Sequence, residues 1–323
     1  MNKQFTPPWW ANNPHTQTIL PLLFKVARPT TFRQRQELDD GDFIDLDWLG
    51  SPQNGDPIMV IIHGLEGSAD SHYARRMLLA AKEAKLCAVV HHHRGCSGEP
   101  NRLARSYHSG DTQDLHYTLH QLKHYYPESP LFAVGYSLGG NVLAKYQGEF
   151  QDKSLIDRAV VISAPLQLAA CAEKLEHGFS KVYQNFLLKK LRKKMRQKLK
   201  TPIIGKQMPI SRWQLRKLRT FEAFDDKVTA PLHGFTGVAD YYQKASALPY
   251  LKKVCKPTLV IHAMDDPFMT AAVMPQEHEM SANVSYEAHE FGGHVGFIAG
   301  GFPWKPRFYL EPRVLSFLLQ SNP

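Results

Sequence analysis

The pentapeptide at residues 135–139 constrains the fold more than any other part of this chain. It reads Gly-Tyr-Ser-Leu-Gly, follows the apolar run of residues 131–134 and precedes residues 141–146, which are typical of a helix start. A serine on a sharp turn between a strand and a helix has a strained backbone, and its hydroxyl is pushed out of the sheet. The glycines are needed because the two backbones pass too close for a β-carbon. The pattern predicts that Ser137 is exposed at a helix N-terminus, where backbone N–H groups favour negative charge.

A serine becomes nucleophilic only beside a base, and that base needs an orienting carboxylate. After a turn of this kind the chain order is serine, acid, histidine. The β-rich run of residues 258–261 leads into Asp265 and Asp266, and His294 follows between glycines and apolar residues. We favour Asp266 as the acid, with Asp265 as a turn residue or a helper. The alternative is that either aspartate is a turn residue before a proline.

Two further features complete the predicted site. The apolar run of residues 58–62 ends in His-Gly-Leu, the usual position of a second oxyanion donor. We therefore expect the oxyanion hole to consist of the backbone N–H groups of Leu65 and Leu138, with His63 supporting the loop. His289 competes with His294 for the role of base, and the glycine-flanked loop favours His294.

Composition limits the class of protein. The chain has 323 residues, of which 43% are hydrophobic, so it is long enough for one large α/β domain or two small ones. No run of about 18 apolar residues predicts a membrane span, and residues 1–10 lack a signal-peptide core. The four cysteines are widely spaced without a Cys-x-x-Cys pair, which indicates free thiols in a reducing compartment. We expect a cytoplasmic protein that needs neither a cofactor nor a metal.

The formal net charge of +9 is concentrated between Lys181 and Lys200, where there are nine basic residues and no acid. Leucines and a methionine recur there at helical spacing, either as Leu187, Leu191, Met195 and Leu199 or as Leu188, Leu191 and Met195. The segment is therefore predicted to be a basic amphipathic helix. Its apolar stripe is expected to pack on the protein body. Peripheral contact with an anionic membrane is the alternative. Binding to nucleic acid is the least favoured interpretation, because no nucleic-acid-binding motif accompanies these basic residues.

Strand-like and helical stretches alternate along the chain. Strands are predicted at residues 43–48, 58–62, 86–90, 131–134, 159–162, 258–261 and 285–288, and helices at 71–84 and 111–125. The first strand is expected to be antiparallel and the others to form a mainly parallel sheet with helices on both faces. About ninety residues between the strands predicted at 159–162 and 258–261 do not follow this alternation. We therefore expect three parts: residues 1–165 and 257–323 form the core, and residues 166–256 form a helical cap over the site.

Several motifs together carry a resemblance to a known family. They are His-Gly-Leu-Glu-Gly at 63–67, Arg-Gly-Cys-Ser-Gly-Glu-Pro-Asn at 94–101, Tyr-His-Ser-Gly-Asp-Thr at 107–112, Gly-Tyr-Ser-Leu-Gly-Gly-Asn at 135–141, Asp-Asp-Pro-Phe at 265–268 and Gly-His-Val-Gly-Phe at 293–297. The chain resembles the α/β-hydrolase superfamily and, within it, the YheT-like bacterial esterases related to animal α/β-hydrolase-domain lipases. The resemblance covers nearly the whole length. It implies hydrolysis of carboxylic esters, such as acylglycerols or other medium-chain acyl esters, without a cofactor.

One departure from the family pattern is His91-His92-His93, where a pair such as Asn-Phe is expected before Arg94. At most two of the three side chains could share a metal ion, because side chains alternate along an extended segment. No carboxylate or cysteine cluster accompanies them. We interpret them as a strand-end loop near the mouth of the site.

The sequence thus predicts a serine esterase in which Ser137 attacks an ester carbonyl, His294 moves the proton and Asp266 orients His294. Three alternatives remain. The same residues could cleave a thioester or transfer the acyl group to another alcohol. The fold could be a non-catalytic binding module, or the basic segment could make the protein a surface-associated scaffold.

Overall fold

The computed structural model describes residues 5–320. The prediction for residues 1–10 therefore lies partly outside the described residues. In chain order the strands are β1 (Phe32–Glu37), β2 (Phe43–Leu49), β3 (Ile58–Ile62), β4 (Cys87–His91), β5 (Leu131–Tyr136), β6 (Arg158–Ile162), β7 (Thr258–Ala263), β8 (Val284–His289), β9 (Ile298–Phe302) and β10 (Lys305–Phe308). The α-helices are α1 (Pro14–Leu23), α2 (His72–Glu83), α3 (Gln113–Tyr125), α4 (Leu138–Phe150), α5 (Leu168–Leu175), α6 (Ser180–Lys198), α7 (Pro202–Gln207), α8 (Arg212–Lys217), α9 (Phe221–Phe224), α10 (Ala230–Leu232), α11 (Val238–Ala245) and α12 (Leu310–Leu318). A π-helical turn at Asp225–Thr229 joins α9 to α10.

The first eight strands form one sheet in the order β1-β2-β4-β3-β5-β6-β7-β8. The strands from β4 to β8 in this order pair in parallel, whereas β2 is antiparallel to both β1 and β4. Strand β3 reads Ile-Met-Val-Ile-Ile and is buried throughout. Continuous β-branched runs of this kind are typical of parallel strands that are covered on both faces. The predicted mainly parallel sheet is confirmed, and so is the early antiparallel strand.

Helices cover both faces of the sheet. On one face, a buried cluster includes Leu119 of α3 and Val142 of α4. On the other, a second cluster includes Met77 of α2 and Val314 of α12. Each helix turns its apolar stripe to the sheet, so that two hydrophobic layers enclose it. This arrangement confirms the predicted α/β class.

The strand order reverses at β3, which lies between β4 and β5. The chain crosses to one side of β3 through α2 and later returns to its other side with β5. In sheets of this type, ligands bind at the carboxyl ends of the strands where the order reverses. The loop after β3 begins with His63, and the loop after β5 begins with Ser137. The fold therefore brings the predicted oxyanion loop next to the predicted nucleophile.

The residues between β6 and β7 are helical, from α5 to α11. We call residues 166–256 the cap segment, and its division from residues 1–165 and 257–323 remains a proposal. The predicted basic amphipathic helix is α6, in which Leu188, Leu191 and Met195 are buried. Within residues 5–320, no helix is both long and apolar enough to cross a membrane. The cysteines at positions 87, 96, 171 and 255 are all free thiols.

Candidate active site

The turn between β5 and α4 has the strained geometry that the pentapeptide predicts. Ser137 has a φ of 52° and a ψ of −120°, a region that non-glycine residues rarely occupy. A β-carbon on Gly135 would lie 2.5 Å from the carbonyl oxygen of Gly139, and one on Gly139 would collide with the carbonyl oxygens of Ile62 and His63. The turn can close this tightly only because the residues two positions before and two positions after Ser137 are glycines.

The structure brings the three residues proposed as a catalytic set into contact. The Nε2 atom of His294 lies 2.9 Å from the Oγ of Ser137, and its Nδ1 lies 2.8 Å from Oδ2 of Asp266. A carboxylate can only accept, so Nδ1 carries the proton and Nε2 presents its lone pair to the serine hydroxyl. Asp266 is 3% exposed. The imidazole thus has the tautomer that a general base needs.

The two alternatives for the acid and the base lie elsewhere. Oδ1 of Asp265 accepts the backbone N–H of Gly293 at 2.9 Å, so this carboxyl group fixes the histidine loop. Burial raises the pKa of Asp265 to about 6. The ring of His289 packs edge-on against Phe5, Phe297 and Tyr309. In the described structure, Asp266 therefore contacts His294, and His289 belongs to an aromatic cluster.

The loop after β3 passes directly over Ser137. A β-carbon on Gly64 would be only 3.1 Å from that of Ser137. The carbonyl oxygen of Gly64 accepts from Nδ1 of His63 at 2.8 Å and from the backbone N–H of Gly67 at 3.0 Å. In a trans peptide the next N–H points the opposite way. These two bonds therefore direct the N–H of Leu65 away from them, and Leu65 borders the cavity that contains Ser137.

The second expected donor is the N–H of Leu138, the first residue of α4. The first N–H groups of a helix have no intrahelical acceptor, and they form the positive end of the helix dipole. Within residues 5–320, neither Leu65 nor Leu138 donates its N–H to a protein acceptor outside a helix or strand. Both donors are thus available at the turn that carries the serine hydroxyl.

The four histidines behind this loop are buried, at positions 63, 91, 92 and 93. Burial lowers the pKa of His93 to about 3 and that of His63 well below its ordinary value. Neutral His63 donates through Nδ1, and its Nε2 accepts the backbone N–H of His93 at 3.2 Å. In residues 5–320 no cluster of side chains suited to a metal ion is found. The histidine run lies at the end of β4, under the oxyanion loop, and His63 supports that loop as expected.

Two cavities meet at the serine. One of about 90 Å³ is mainly apolar and is bordered by Ser137, His294 and cap residues such as Leu168 and Leu175. A wider one of about 450 Å³ is bordered by Ser137 and His294 together with Leu22, Phe186 and Lys190. We call the first the acyl pocket and the second the mouth.

Sequence patterns gave no indication of several residues that hold this site together. Thr18 of α1 accepts the backbone N–H of His294 through Oγ1 at 2.9 Å. Phe268 stacks on the His294 ring with centroids 4.0 Å apart. The hydroxyl of Tyr73 accepts the N–H of Gly64 at 2.9 Å. Thr18 is far from His294 in the chain. Phe268 belongs to the Asp-Asp-Pro-Phe motif and Tyr73 lies nine residues after Gly64, but no local pattern predicts what these two side chains contact.

Comparison with known proteins shows the family to which the chain belongs. The model of the α/β hydrolase fold family matches residues 57–300, which is well over half of the chain. The chain belongs to the α/β-hydrolase family. Its fold is also similar to that of a solved esterase, Pf2001 of Pyrococcus furiosus, with a TM-score of 0.52 over 91% of both chains at 17% identity. This likeness concerns the fold alone.

Among curated relatives, an Escherichia coli (strain K12) protein named "Putative esterase YheT" is 44% identical over 98% of this chain and 93% of its own length. Human phospholipase ABHD3 is 28% identical over 94% of this chain and 76% of its own length. Mouse monoacylglycerol lipase ABHD2 is 27% identical over 98% of this chain and 80% of its own length. The family resemblance predicted from the motifs is confirmed, and the relatives that carry an activity in their names are hydrolases.

Proposed function

We propose that this α/β hydrolase is a serine esterase that cleaves carboxylic esters of short- to medium-chain acyl groups, including acylglycerols. The observation that carries the proposal is the continuous contact from Asp266 through His294 to Ser137, at 2.8 and 2.9 Å. The names of the relatives, an esterase, a phospholipase and a monoacylglycerol lipase, favour an ester of a fatty acid.

The proposed reaction has two halves. Ser137 Oγ attacks the ester carbonyl carbon while Nε2 of His294 takes the hydroxyl proton, and Asp266 stabilises the imidazolium. The N–H groups of Leu65 and Leu138 bind the resulting oxyanion, and each such donor typically stabilises the transition state by about 2.7–4 kcal/mol. His294 then gives its proton to the leaving alcohol. Water repeats the attack on the acyl-enzyme, which releases the acid and restores Ser137.

Thioester cleavage or transfer of the acyl group to another alcohol would proceed through the same acyl-enzyme. Product analysis in the presence of an added acceptor alcohol distinguishes transfer from hydrolysis, since only transfer yields a new ester. A set of oxygen esters and thioesters with matched acyl chains distinguishes the leaving groups.

The decisive test is the substitution Ser137→Ala. We expect this variant to lose hydrolysis of a chromogenic butyrate ester and labelling by a fluorophosphonate, with its thermal unfolding unchanged. Ser285→Ala, an exposed position on β8, is the matched control and keeps both activities. Full turnover by Ser137→Ala, or a wild-type protein that neither turns over esters nor reacts with the probe, contradicts the proposal and favours a non-catalytic module.

We also propose that the exposed side of α6 contacts an anionic lipid surface. Val182 and Phe186 are each 53% exposed, Lys189 and Lys190 beside them are exposed as well, and Phe186 borders the mouth. An apolar strip flanked by lysines matches the interface of an anionic bilayer. We expect co-sedimentation with phosphatidylglycerol vesicles but not with phosphatidylcholine vesicles, and weaker binding by Phe186→Ser. Equal sedimentation with both lipids contradicts this proposal.

A further inference from the structure

A second small cavity adjoins the acyl pocket. Its volume is about 80 Å³, and a space of about 10–15 Å³ already holds one water-sized group. The two cavities share six bordering residues: Leu65, Ser109, Leu138, Phe221, Asp225 and Tyr241. Because the two cavities share these residues, a chain that fills the acyl pocket lies next to this second space.

The second cavity differs from the acyl pocket in its chemistry. Apolar side chains form much of its lining, and the partly buried ion pair of Lys194 and Glu66 also borders it. We call it the polar chamber and define it by four other polar residues on its border, Ser106, His108, Asp225 and His233. Ser106 is 6% exposed, and its Oγ has no hydrogen-bond partner within residues 5–320. A buried hydroxyl without a partner is rare in proteins, and each one calls for an explanation.

The two histidines of the chamber have opposite hydrogen-bonding character. His233 lies 2.8 Å through Nδ1 from the carbonyl oxygen of Thr229, so Nδ1 carries the proton and Nε2 is an acceptor when the ring is neutral. Burial lowers the pKa of His233 to about 4, which keeps the ring neutral at pH 7. Nδ1 of His108 accepts the N–H of Gly110 at 3.2 Å, so its Nε2 is a donor. The chamber thus offers both a donor and an acceptor.

Asp225 stands where the two cavities join, at the start of the π-helical turn. Its oxygens accept from the hydroxyls of Thr229 at 2.6 Å and Tyr242 at 3.0 Å. A carboxyl group has about four acceptor sites, so it can take a further donor. Burial raises the pKa of Asp225 to about 7. Single π-helical turns within helices occur frequently at functional sites.

Among simple substituents, a hydroxyl fits this chamber best. It donates and accepts at once, whereas a carboxylate cannot donate to His233 and an ammonium cannot accept from His108. A methyl group would leave the hydroxyl of Ser106 buried and unpaired, which is unfavourable. We propose that the polar chamber is a specificity subsite for a hydroxyl group carried on the acyl chain of the ester. This inference rests on the esterase function proposed above and narrows its substrate class.

The test compares methyl hexanoate with its 3-hydroxy and 6-hydroxy derivatives, and methyl octanoate with its 3-hydroxy and 8-hydroxy derivatives. We expect kcat/KM for at least one hydroxy ester to exceed that of its unsubstituted partner about 10-fold or more. Ser106→Ala and His233→Asn should each reduce this ratio about 3- to 10-fold. Asn retains a donor for the Thr229 carbonyl but lacks the Nε2 acceptor. Ser285→Ala is the control and keeps the ratio.

A binding measurement makes the test independent of turnover. In the Ser137→Ala variant, the hydroxy acid released from the preferred ester should bind more tightly than its unsubstituted counterpart by calorimetry, and the added substitution Ser106→Ala should remove the difference. The inference is overturned if every unsubstituted ester is cleaved as fast as its hydroxy derivatives, or if the preference survives in both chamber variants. Ester hydrolysis that depends on Ser137 without such a preference overturns only the inference. Absence of hydrolysis and of fluorophosphonate labelling overturns the esterase proposal as well.

Discussion

The turn around Ser137 and helix α6 of the cap segment are held in place by different kinds of contact. In the core, backbones touch backbones: glycines at positions 135, 139 and 140 let α4 lie against β3, β5 and β6 with no room for a β-carbon. The C-terminal part of the cap segment resembles the core in this respect, because β-carbons on Gly110 and Gly148 would lie 2.7 Å and 2.1 Å from the backbones of Ala245 and Tyr250. Helix α6 of the cap segment is instead joined to the core through polar side chains, as where Lys194 contacts Glu66 at 2.6 Å.

The contact made by Lys198 is a further example. This lysine is 2% exposed and donates to the carbonyl oxygens of residues 103, 104 and 105 at 2.7–3.0 Å. A long side chain can change rotamer and keep its contact, whereas a close backbone contact tolerates no added atom. Close backbone packing therefore fixes the position of the nucleophile, whereas α6, which borders all three cavities, has more freedom to differ in position.

The largest expected effect is on kcat, and it differs between substitutions of the two aspartates of the core. Asp266→Asn should lower kcat by about 10⁴-fold, because an amide at this position no longer selects the tautomer that presents Nε2 to Ser137. Asp265→Asn is the matched control and should lower kcat by less than about 10-fold, since an amide oxygen still accepts from Gly293. Steady-state kinetics with a butyrate ester measures both. Equal losses in the two variants contradict the assignment of Asp266.

The second prediction concerns stability and compares a core glycine with a cap glycine. Gly139→Ala should lower the free energy of unfolding by about 3 kcal/mol or more, because its β-carbon would lie 2.5 Å from the carbonyl oxygen of His63. In the cap segment, Gly237→Ala would place its β-carbon 3.5 Å from Asp226, an ordinary contact. We expect that variant to change stability by less than about 0.5 kcal/mol. Denaturant unfolding measures both free energies. Similar losses in the two variants would contradict the expected difference between the core and the cap segment.

The third prediction tests the contact from the cap segment to the oxyanion loop. Glu66 follows Leu65 and has a φ of 50°, and its Oε1 accepts from both Lys194 and the hydroxyl of Tyr107. Lys194→Met should therefore lower kcat about 10-fold with KM little changed, because the loop loses a charge-assisted hydrogen bond. Lys193→Met, the exposed neighbour, should leave kcat unchanged. A rise in KM alone would indicate that Lys194 shapes substrate binding rather than the loop.

The smallest expected effect is on how the free energy of unfolding changes with pH. Burial lowers the pKa of Lys198 to about 7, whereas an unfolded lysine has a pKa of about 10.4. Between these values the unfolded chain binds a proton that the folded chain does not, so this group makes the free energy of unfolding rise with pH from 7 to 10. Lys198→Met should show a smaller rise than the exposed control Lys200→Met. Equal slopes would mean that Lys198 stays charged in the folded protein.

The core could be predicted from the sequence because its signals are local. Continuous apolar runs place β3 and β5 to within two residues, and the glycine-flanked serine marks the turn after β5. Strand β1 was missed because it reads Phe-Arg-Gln-Arg-Gln-Glu and is mostly exposed. It is held at the sheet edge by Arg33 and Arg35, which pair with Asp47 and Asp45 of β2 at 2.7 and 2.8 Å. Such an edge strand has no hydrophobic alternation to detect.

The inward-facing lysines of α6 were also missed. In a run of nine basic residues nothing distinguishes Lys194 and Lys198 from their exposed neighbours, and only the partners on distant loops reveal them. The helix itself and its buried leucines follow from spacing, as predicted. The choice between Asp265 and Asp266 likewise needed the fold, since both follow the same strand and differ only in the direction of their side chains.

Helix α1 is packed on the loop that carries His294, so residues from near the two ends of the described chain meet at the proposed base. A β-carbon on Gly293 would lie 2.7 Å from Oγ1 of Thr18, and one on Gly296 would collide with the carbonyl oxygen of Gln17. During synthesis, a chain that has emerged only through the cap segment contains the serine but not the histidine. Proposed esterase activity would therefore begin only after the histidine loop has been synthesised and has packed on α1, by which time the cap segment can already enclose the serine.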